Sequence, residues 1–298
     1  EFKGTVYSIN LVPILAFVRL AGIDEQESEQ NAPFEQQYGA KSPYEKFKSI
    51  VAGPMMNLLL GFIIYSFLAM TFGLPYTSDI IAGVSENSPA KKAGLLVGDK
   101  IIRLNGEKVY DINLTIERIH KSAGETVSLV VLRDEKELAI SAVPEYDGKL
   151  KVGLLGFSLG SYYKKFNPAE AVLEGAKKTV YLSYMIVVVF GKLLTGKIAL
   201  TGLAGPIGIA QFSGQAAAQG LPSFLSLIAF ISINLAVFNL LPIPALDGGR
   251  LVFILIEAVR KKPVNLQIEN NIHQWGLVVL LGFFAFVSFN DILRLFAR

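Results

Sequence analysis

Three long stretches of the chain carry no acidic or basic residue. They are residues 49–78 with 30 positions, residues 198–246 with 49 and residues 274–290 with 17. A membrane-spanning helix needs about 20 predominantly apolar residues. The pattern predicts spans at 49–74, 222–241 and 274–293. Residues 198–221, in the second stretch, are Gly-rich (Ala204-Gly205-Pro206-Ile207-Gly208). They predict broken backbone at membrane level, which survives only buried in protein or facing a watery cavity. Residues 168–196 also follow a helical pattern after Pro168. Their uncharged centre, 179–191, is only 13 residues, which suits an interfacial or buried helix better than a span.

Between the first two stretches the chain changes character, with short β runs alternating with turns. Runs at Ile80–Val84, Lys100–Leu104 and Val127–Leu132 read as strands, with a tight hairpin at Asn105-Gly106. A helix is expected near 113–122. Residues 1–22 alternate loosely through Thr5-Val6-Tyr7-Ser8-Ile9 and predict a short membrane-associated hairpin or strand pair. The expected organisation is a β segment and loop over 1–48 and a span over 49–76. A strand-rich domain follows over 77–160, an interfacial helix over 161–197 and a membrane domain with two spans over 198–298. The fold class is a polytopic α-helical membrane protein with an inserted β-rich domain.

Composition agrees with a lipid environment. Of 298 residues, 52% are hydrophobic and 18% charged, against about 25% charged in ordinary soluble domains. The bilayer is therefore one expected partner. A net charge of +3, without a basic stripe interleaved with aromatics, argues against nucleic acid. No cysteine is present, which excludes disulfides and thiolate zinc sites. Lys41, Lys46 and Lys48 precede the first span, and Arg250, Arg260, Lys261 and Lys262 follow the second. The positive-inside rule puts both flanks in the cytoplasm and the strand-rich insert outside.

The candidate chemistry sits at Asp247. It closes the 49-residue uncharged stretch, directly after Asn239-Leu240-Leu241-Pro242-Ile243-Pro244-Ala245-Leu246 and before Gly248-Gly249. An acid at membrane depth costs about 2.5–3.5 kcal/mol at bilayer centre, so it needs a partner. One reading is a helix N-cap, worth about 1 kcal/mol. Another is a salt bridge to Arg250. A third is a metal ligand. A catalytic zinc takes about three protein ligands and a water. The chain has two histidines, His120 and His273, and no His-Glu-x-x-His. Its own residues do not complete a metal site. Asn57, Asn234 and Asn239 lie at membrane depth, where helix–helix hydrogen bonding is the simplest role for Asn57.

Several segments in order resemble the site-two protease family of intramembrane zinc metalloproteases, in its bacterial RseP-like branch. They are Ala52-Gly53-Pro54-Met55-Met56-Asn57, Gly205-Pro206-Ile207-Gly208, Asn239 through Gly249, and Asn290-Asp291-Ile292-Leu293. Ser88-Pro89-Ala90 through Asp99 resembles a PDZ domain of the rearranged bacterial type. Gly153-Leu154-Leu155-Gly156-Phe157 looks like its peptide-receiving loop and strand. The resemblance implies that Asp247 is the third ligand of a Zn2+ cofactor. It implies that two His ligands and the catalytic Glu lie upstream of Glu1, so that this chain alone is inactive. Arg250 stands where many relatives carry His, at a position that is not a ligand. Asn239, with Asn234 and Asn57, is expected to hold substrate backbone. Leu155, Gly156 and Phe157 are expected to bind a peptide ligand of the PDZ-like domain.

The implied activity is zinc-dependent hydrolysis of a peptide bond in or near a transmembrane segment of a membrane-protein substrate. The implied location is a bacterial cytoplasmic membrane, with the PDZ-like domain extracytoplasmic. A non-catalytic pseudoprotease or PDZ-bearing membrane binding protein is the competing expectation. A transporter built on broken helices is a weaker one, because no inverted repeat is visible.

Overall fold

The computed structural model describes residues 38–148, 150–197 and 205–296. The β segment expected over residues 1–22 lies outside them. The chain divides into two compact units, one of Ser66–Glu174 and one of the rest.

The first long helix, α1, spans Pro43–Thr71. It starts six residues before the uncharged stretch because a local signal sets its start. The Ser42 backbone N–H donates to Glu45 Oε2 at 2.9 Å and the Glu45 N–H to Ser42 Oγ at 3.4 Å, a reciprocal capping box. It also ends earlier than the apolar run predicts. Gly73, at φ +88°, turns the chain, and its N–H returns to the Leu68 carbonyl at 2.8 Å. Leu74 then opens a strand, so the span expected to reach 74–76 stops at Thr71.

The second unit holds the strands β1 (Leu74–Val84), β2 (Lys100–Leu104), β3 (Glu107–Lys108), β4 (Val127–Arg133), β5 (Lys136–Ala142), β6 (Glu145–Asp147), β7 (Val152–Leu154) and β8 (Phe157–Lys164). Helices α2 (Pro89–Lys92) and α3 (Ile112–Lys121) interrupt them. The main sheet runs β5-β4-β2-β1-β8, with β3 hairpinned onto β2, and β6-β7 form a separate pair. Alternate residues of β4 face inward. Val127, Leu129 and Val131 are buried with Ile81, Leu95, Ile101 and Ile119. All three predicted strands lie within observed ones, and the Asn105-Gly106 hairpin is present, both residues at positive φ.

In the helical unit follow α4 (Pro168–Leu194), α5 (Pro206–Ala218), α6 (Leu221–Leu240), α7 (Asp247–Arg260) and α8 (Leu266–Phe296). Among the described residues three helices are long and apolar enough to cross a membrane: α1, α6 and α8. The fold is a polytopic helical membrane protein with an inserted β-rich domain, as the sequence leads one to expect.

One expectation is corrected. Residues 206–218 are helix, not broken backbone. Pro206 stands at the first helical position after Gly205, where its missing N–H costs nothing. Helix α6 packs on α1 through a small residue. A Cβ on Gly61 would come 2.5 Å from Ile233 Cγ1 and 3.3 Å from the Ala229 carbonyl oxygen. Ser232 Oγ donates to the Asn57 carbonyl at 2.9 Å and Tyr65 Oη to the Ser226 carbonyl at 3.2 Å. The interhelix bond at Asn57 thus runs through its backbone carbonyl.

Candidate metal centre

Asp247 opens α7, and the cap position belongs to Leu246, without a side-chain cap bond. The carboxylate therefore does not cap its helix. It makes no hydrogen bond or salt bridge among the described residues. Its Oδ2 would lie 3.9 Å from a Cβ placed on Gly53 of α1. The acid thus faces the Gly53-Pro54 step, where the helix lacks one backbone N–H.

The loop Leu241–Leu246 sets this position. Pro242 and Pro244 keep it out of helix. The Ile243 N–H bends back to the Leu241 carbonyl at 2.7 Å. Gly248 admits the loop against α7, since a Cβ there would overlap the Leu241 carbonyl. Ala245 takes φ +79°, an unusual value for a residue with a side chain. Its N–H donates to His273 Nδ1 of α8 at 3.0 Å. His273 is buried, and its Nε2 has no partner among the described residues.

Asn234 and Asn239 share α6 but differ. Asn234 Nδ2 donates to the Phe230 carbonyl one turn back at 3.0 Å. The Asn239 carboxamide makes no hydrogen bond among the described residues and stands at the end of α6 beside the loop. Asn57 is partly buried on α1.

A buried charged group lies at the α7 and α8 end of the unit. Lys46 Nζ donates to both Glu257 oxygens, at 3.0 and 2.9 Å, with Lys46 only 4% exposed. Glu269, also buried, lies in the field of Arg250, Lys46 and Glu257. Sequence reading missed this pair. Only the contrast between a lysine inside the first turns of a span and a glutamate in an apolar helix hinted at it.

In the β-rich unit, Leu155 is buried in the core and its carbonyl accepts the Ala90 N–H at 2.8 Å. Gly156, at φ +80°, accepts the Ser85 N–H at 2.8 Å. Phe157 packs partly against the core. These residues are brought together, with the Leu155 side chain committed to packing. The strand they open, β8, is the end strand of its sheet, so one edge has no partner strand among the described residues.

Zinc accepts carboxylate oxygen, and an uncommitted, partly buried acid at the head of α7 fits one ligand position. Among the described residues no three His, Cys, Asp or Glu side chains gather as a metal site. His120 lies in α3 of the β-rich unit, and His273 is committed through Nδ1 to Ala245.

A family model, Peptidase family M50, matches residues 1–283. This chain belongs to peptidase family M50. The regulator of sigma-W protease RasP of Bacillus subtilis is 36% identical over 282 residues, which are 92% of this chain and 65% of that protein. A putative zinc metalloprotease of Rickettsia conorii is 30% identical over 309 residues, covering 99% of this chain and 86% of that one. The chain thus spans less than two thirds of the Bacillus subtilis relative. The PDZ domain of an SdrC-like protein from Listeria monocytogenes is similar at 26% identity, over 28% of this chain and 88% of that one, with a TM-score of 0.25. M50 membership bears out the site-two protease resemblance.

Proposed function

We propose that this M50 chain is the greater part of an intramembrane zinc endopeptidase that cuts a membrane protein in or near a transmembrane segment. The observation that carries the reading is Asp247, an acid at the head of α7 with neither cap nor ion pair among the described residues. The names of the relatives, zinc metalloprotease among them, support the cofactor. The two histidine ligands and the catalytic Glu belong to a His-Glu-x-x-His that we place upstream of Glu1.

Zinc, when bound, lowers the pKa of its water to about 7 and polarises the scissile carbonyl. Asp247 would hold the metal through a carboxylate oxygen. A substrate helix must unwind before its amides are accessible. The free Asn239 carboxamide, with one acceptor and two donors, holds the extended backbone next to the acid. Asn57 and Asn234 take lesser parts, Asn234 because one of its N–H donors is tied to the Phe230 carbonyl of its own helix. Pro242 and Pro244 lack N–H groups and so leave the end of α6 short of intrahelical donors.

Residues 77–160 form a PDZ-like domain that receives a peptide at the open edge of β8 by strand addition. It lies outside a bacterial cytoplasmic membrane. The Lys46–Glu257 pair supports this topology. It joins the start of α1 to α7, so the two basic flanks share one end of the helical unit. Helix α4 lies at the interface and contributes no span.

The test uses the full-length protein in detergent. Zinc content and cleavage of a model transmembrane substrate are measured for the unaltered protein and for Asp247→Ala. Both should fall to background in the variant. Unchanged zinc and unchanged cleavage reject Asp247 as a ligand.

A further inference from the structure

His273 of α8 is the only described side chain that hydrogen-bonds the backbone between Pro242 and Asp247. From this contact we propose that His273 is a positioning residue for Asp247, acting through the Pro244-Ala245 backbone. The inference rests on the zinc protease reading.

Three observations meet at this spot. First, Ala245 holds φ +79°. A residue with a Cβ leaves that region unless its surroundings hold it. Its polar restraint is the bond from its N–H to His273 Nδ1 at 3.0 Å.

Second, the imidazole is itself fixed. Because Nδ1 accepts, the ring proton sits on Nε2. That atom is buried without a partner among the described residues, and the ring leans against Phe253 at 5.9 Å between centroids. With no partner at Nε2, the Ala245 N–H is the one hydrogen bond the ring makes among the described residues.

Third, glycines on both helices make room for the loop. A Cβ on Gly276, one turn beyond His273, would come 2.5 Å from Pro244 Cβ and 2.7 Å from its carbonyl carbon. A Cβ on Gly249 would come 2.6 Å from the Ile243 oxygen and 3.1 Å from His273 Cε1. The Ile243-Pro244-Ala245 backbone is thus seated between α7 and α8, with the imidazole as its polar anchor. Asp247 follows Ala245 by two residues. A rotation at Ala245 swings the Asp247 carboxylate away from Gly53.

The ring would act on the metal only through Asp247, since its Nδ1 is committed to Ala245. It does what partners of metal ligands do elsewhere, holding the ligand in one orientation, and loss of such partners typically costs about 10–100-fold in metal affinity.

The test again uses full-length protein. Zinc affinity is measured by competition with a chelator, and folding by thermal melting and monodispersity in detergent. Asn carries its amide at the place of Nδ1, whereas Gln carries it at the place of Nε2. His273→Asn should keep zinc affinity within about 3-fold of the unaltered protein. His273→Gln and His273→Leu should weaken it by about 10–100-fold. Adding Ala245→Gly to His273→Leu should recover part of the loss, because Gly adopts positive φ without restraint.

Folded Gln and Leu variants that hold zinc as tightly as the parent overturn the proposal. So does a folded Asn variant as weak as the Leu one, which would assign the effect to ring volume. Should the Leu variant fail to fold, the Asn and Gln pair decides alone. An unaltered full-length protein that holds no zinc overturns the protease reading and this inference together. Zinc in the parent with no response in the variants overturns the inference only.

Discussion

Asp291 Oδ2 of α8 accepts the Gly208 N–H at 2.9 Å. Asp291 is 5% exposed, and Gly208 lies in the first turn of α5, where backbone donors lack intrahelical partners. An acid near a helix N-terminus is also favoured by the helix dipole. The Asn290-Asp291 motif at the end of the last span therefore has a structural role, capping a neighbouring helix from outside that helix. Gly205 makes the approach possible, since a Cβ there would come 2.7 Å from Asp291 Oδ2.

Replacing Asp291 with Leu should leave the partly buried Gly208 donor unpaired, at a cost of about 1 kcal/mol. Asp291→Asn should cost less, because its carbonyl oxygen still accepts. Gly205→Ala should resemble Asp291→Leu. Thermal melting in detergent checks the order. Equal stability of the Leu variant and the parent would remove the capping role.

The Lys46–Glu257 pair yields a different expectation. Removing one partner of a buried pair strands the other charge, typically at about 3–5 kcal/mol, whereas replacing both with apolar residues is often neutral or stabilising. Lys46→Met should therefore destabilise the helical unit strongly. Lys46→Met with Glu257→Leu should recover most of the loss. A double-mutant cycle from melting curves measures the coupling, and additive losses would contradict it.

Where the sequence was legible, the reason is local. Charge-free runs located three membrane-length helices, and short β runs with Asn105-Gly106 located β1, β2 and β4. Helix ends were less legible, because caps override hydropathy: Ser42 and Glu45 start α1 early, and Gly73 stops it early. Helix α5 was misread because Gly205 and Gly208 look like breakers until Asp291, 83 residues from Gly208, supplies a cap. Asp247 was legible as an acid in need of a partner. Its brace was not, because His273 meets Ala245 only through tertiary packing. The family resemblance already favours Asn239 over Asn234; the fold adds the one hydrogen bond that ties Asn234 to Phe230.

Acid should loosen the β-rich unit through Asp99. This buried acid accepts from Arg133 Nε at 2.7 Å and Nη2 at 2.8 Å, and from the Leu96 N–H at 2.9 Å. The Arg133 hydrogen bonds, with that from Leu96, hold its carboxyl below the ordinary value of 3.8. A depressed folded-state pKa adds stability that is fully present above the unfolded pKa, about 3.9. That stability is lost as pH falls through the folded value. Hydrogen exchange across Val127–Arg133 in the intact protein reads it. Asp99→Asn should speed exchange at pH 7, and the gap between variant and parent should close below about pH 4. A gap independent of pH would exclude ionisation of Asp99 as the cause.

Asn239 and Asn234 should part company in the proteolytic assay. Asn234 donates to its own helix at Phe230, whereas the Asn239 carboxamide has no partner among the described residues and stands at the helix end leading into the Asp247 loop. A group that holds the reacting backbone affects kcat/KM without affecting metal. Asn239→Ala should therefore lower kcat/KM for a model transmembrane substrate by about 10-fold or more, the equivalent of about 1.4 kcal/mol, with zinc content unchanged. Asn234→Ala should stay within about 3-fold of the parent, because only an intrahelical bond is lost. Zinc assays and progress curves on both variants separate the roles. Equal losses would assign both residues to helix packing and leave the substrate-holding role of Asn239 without support.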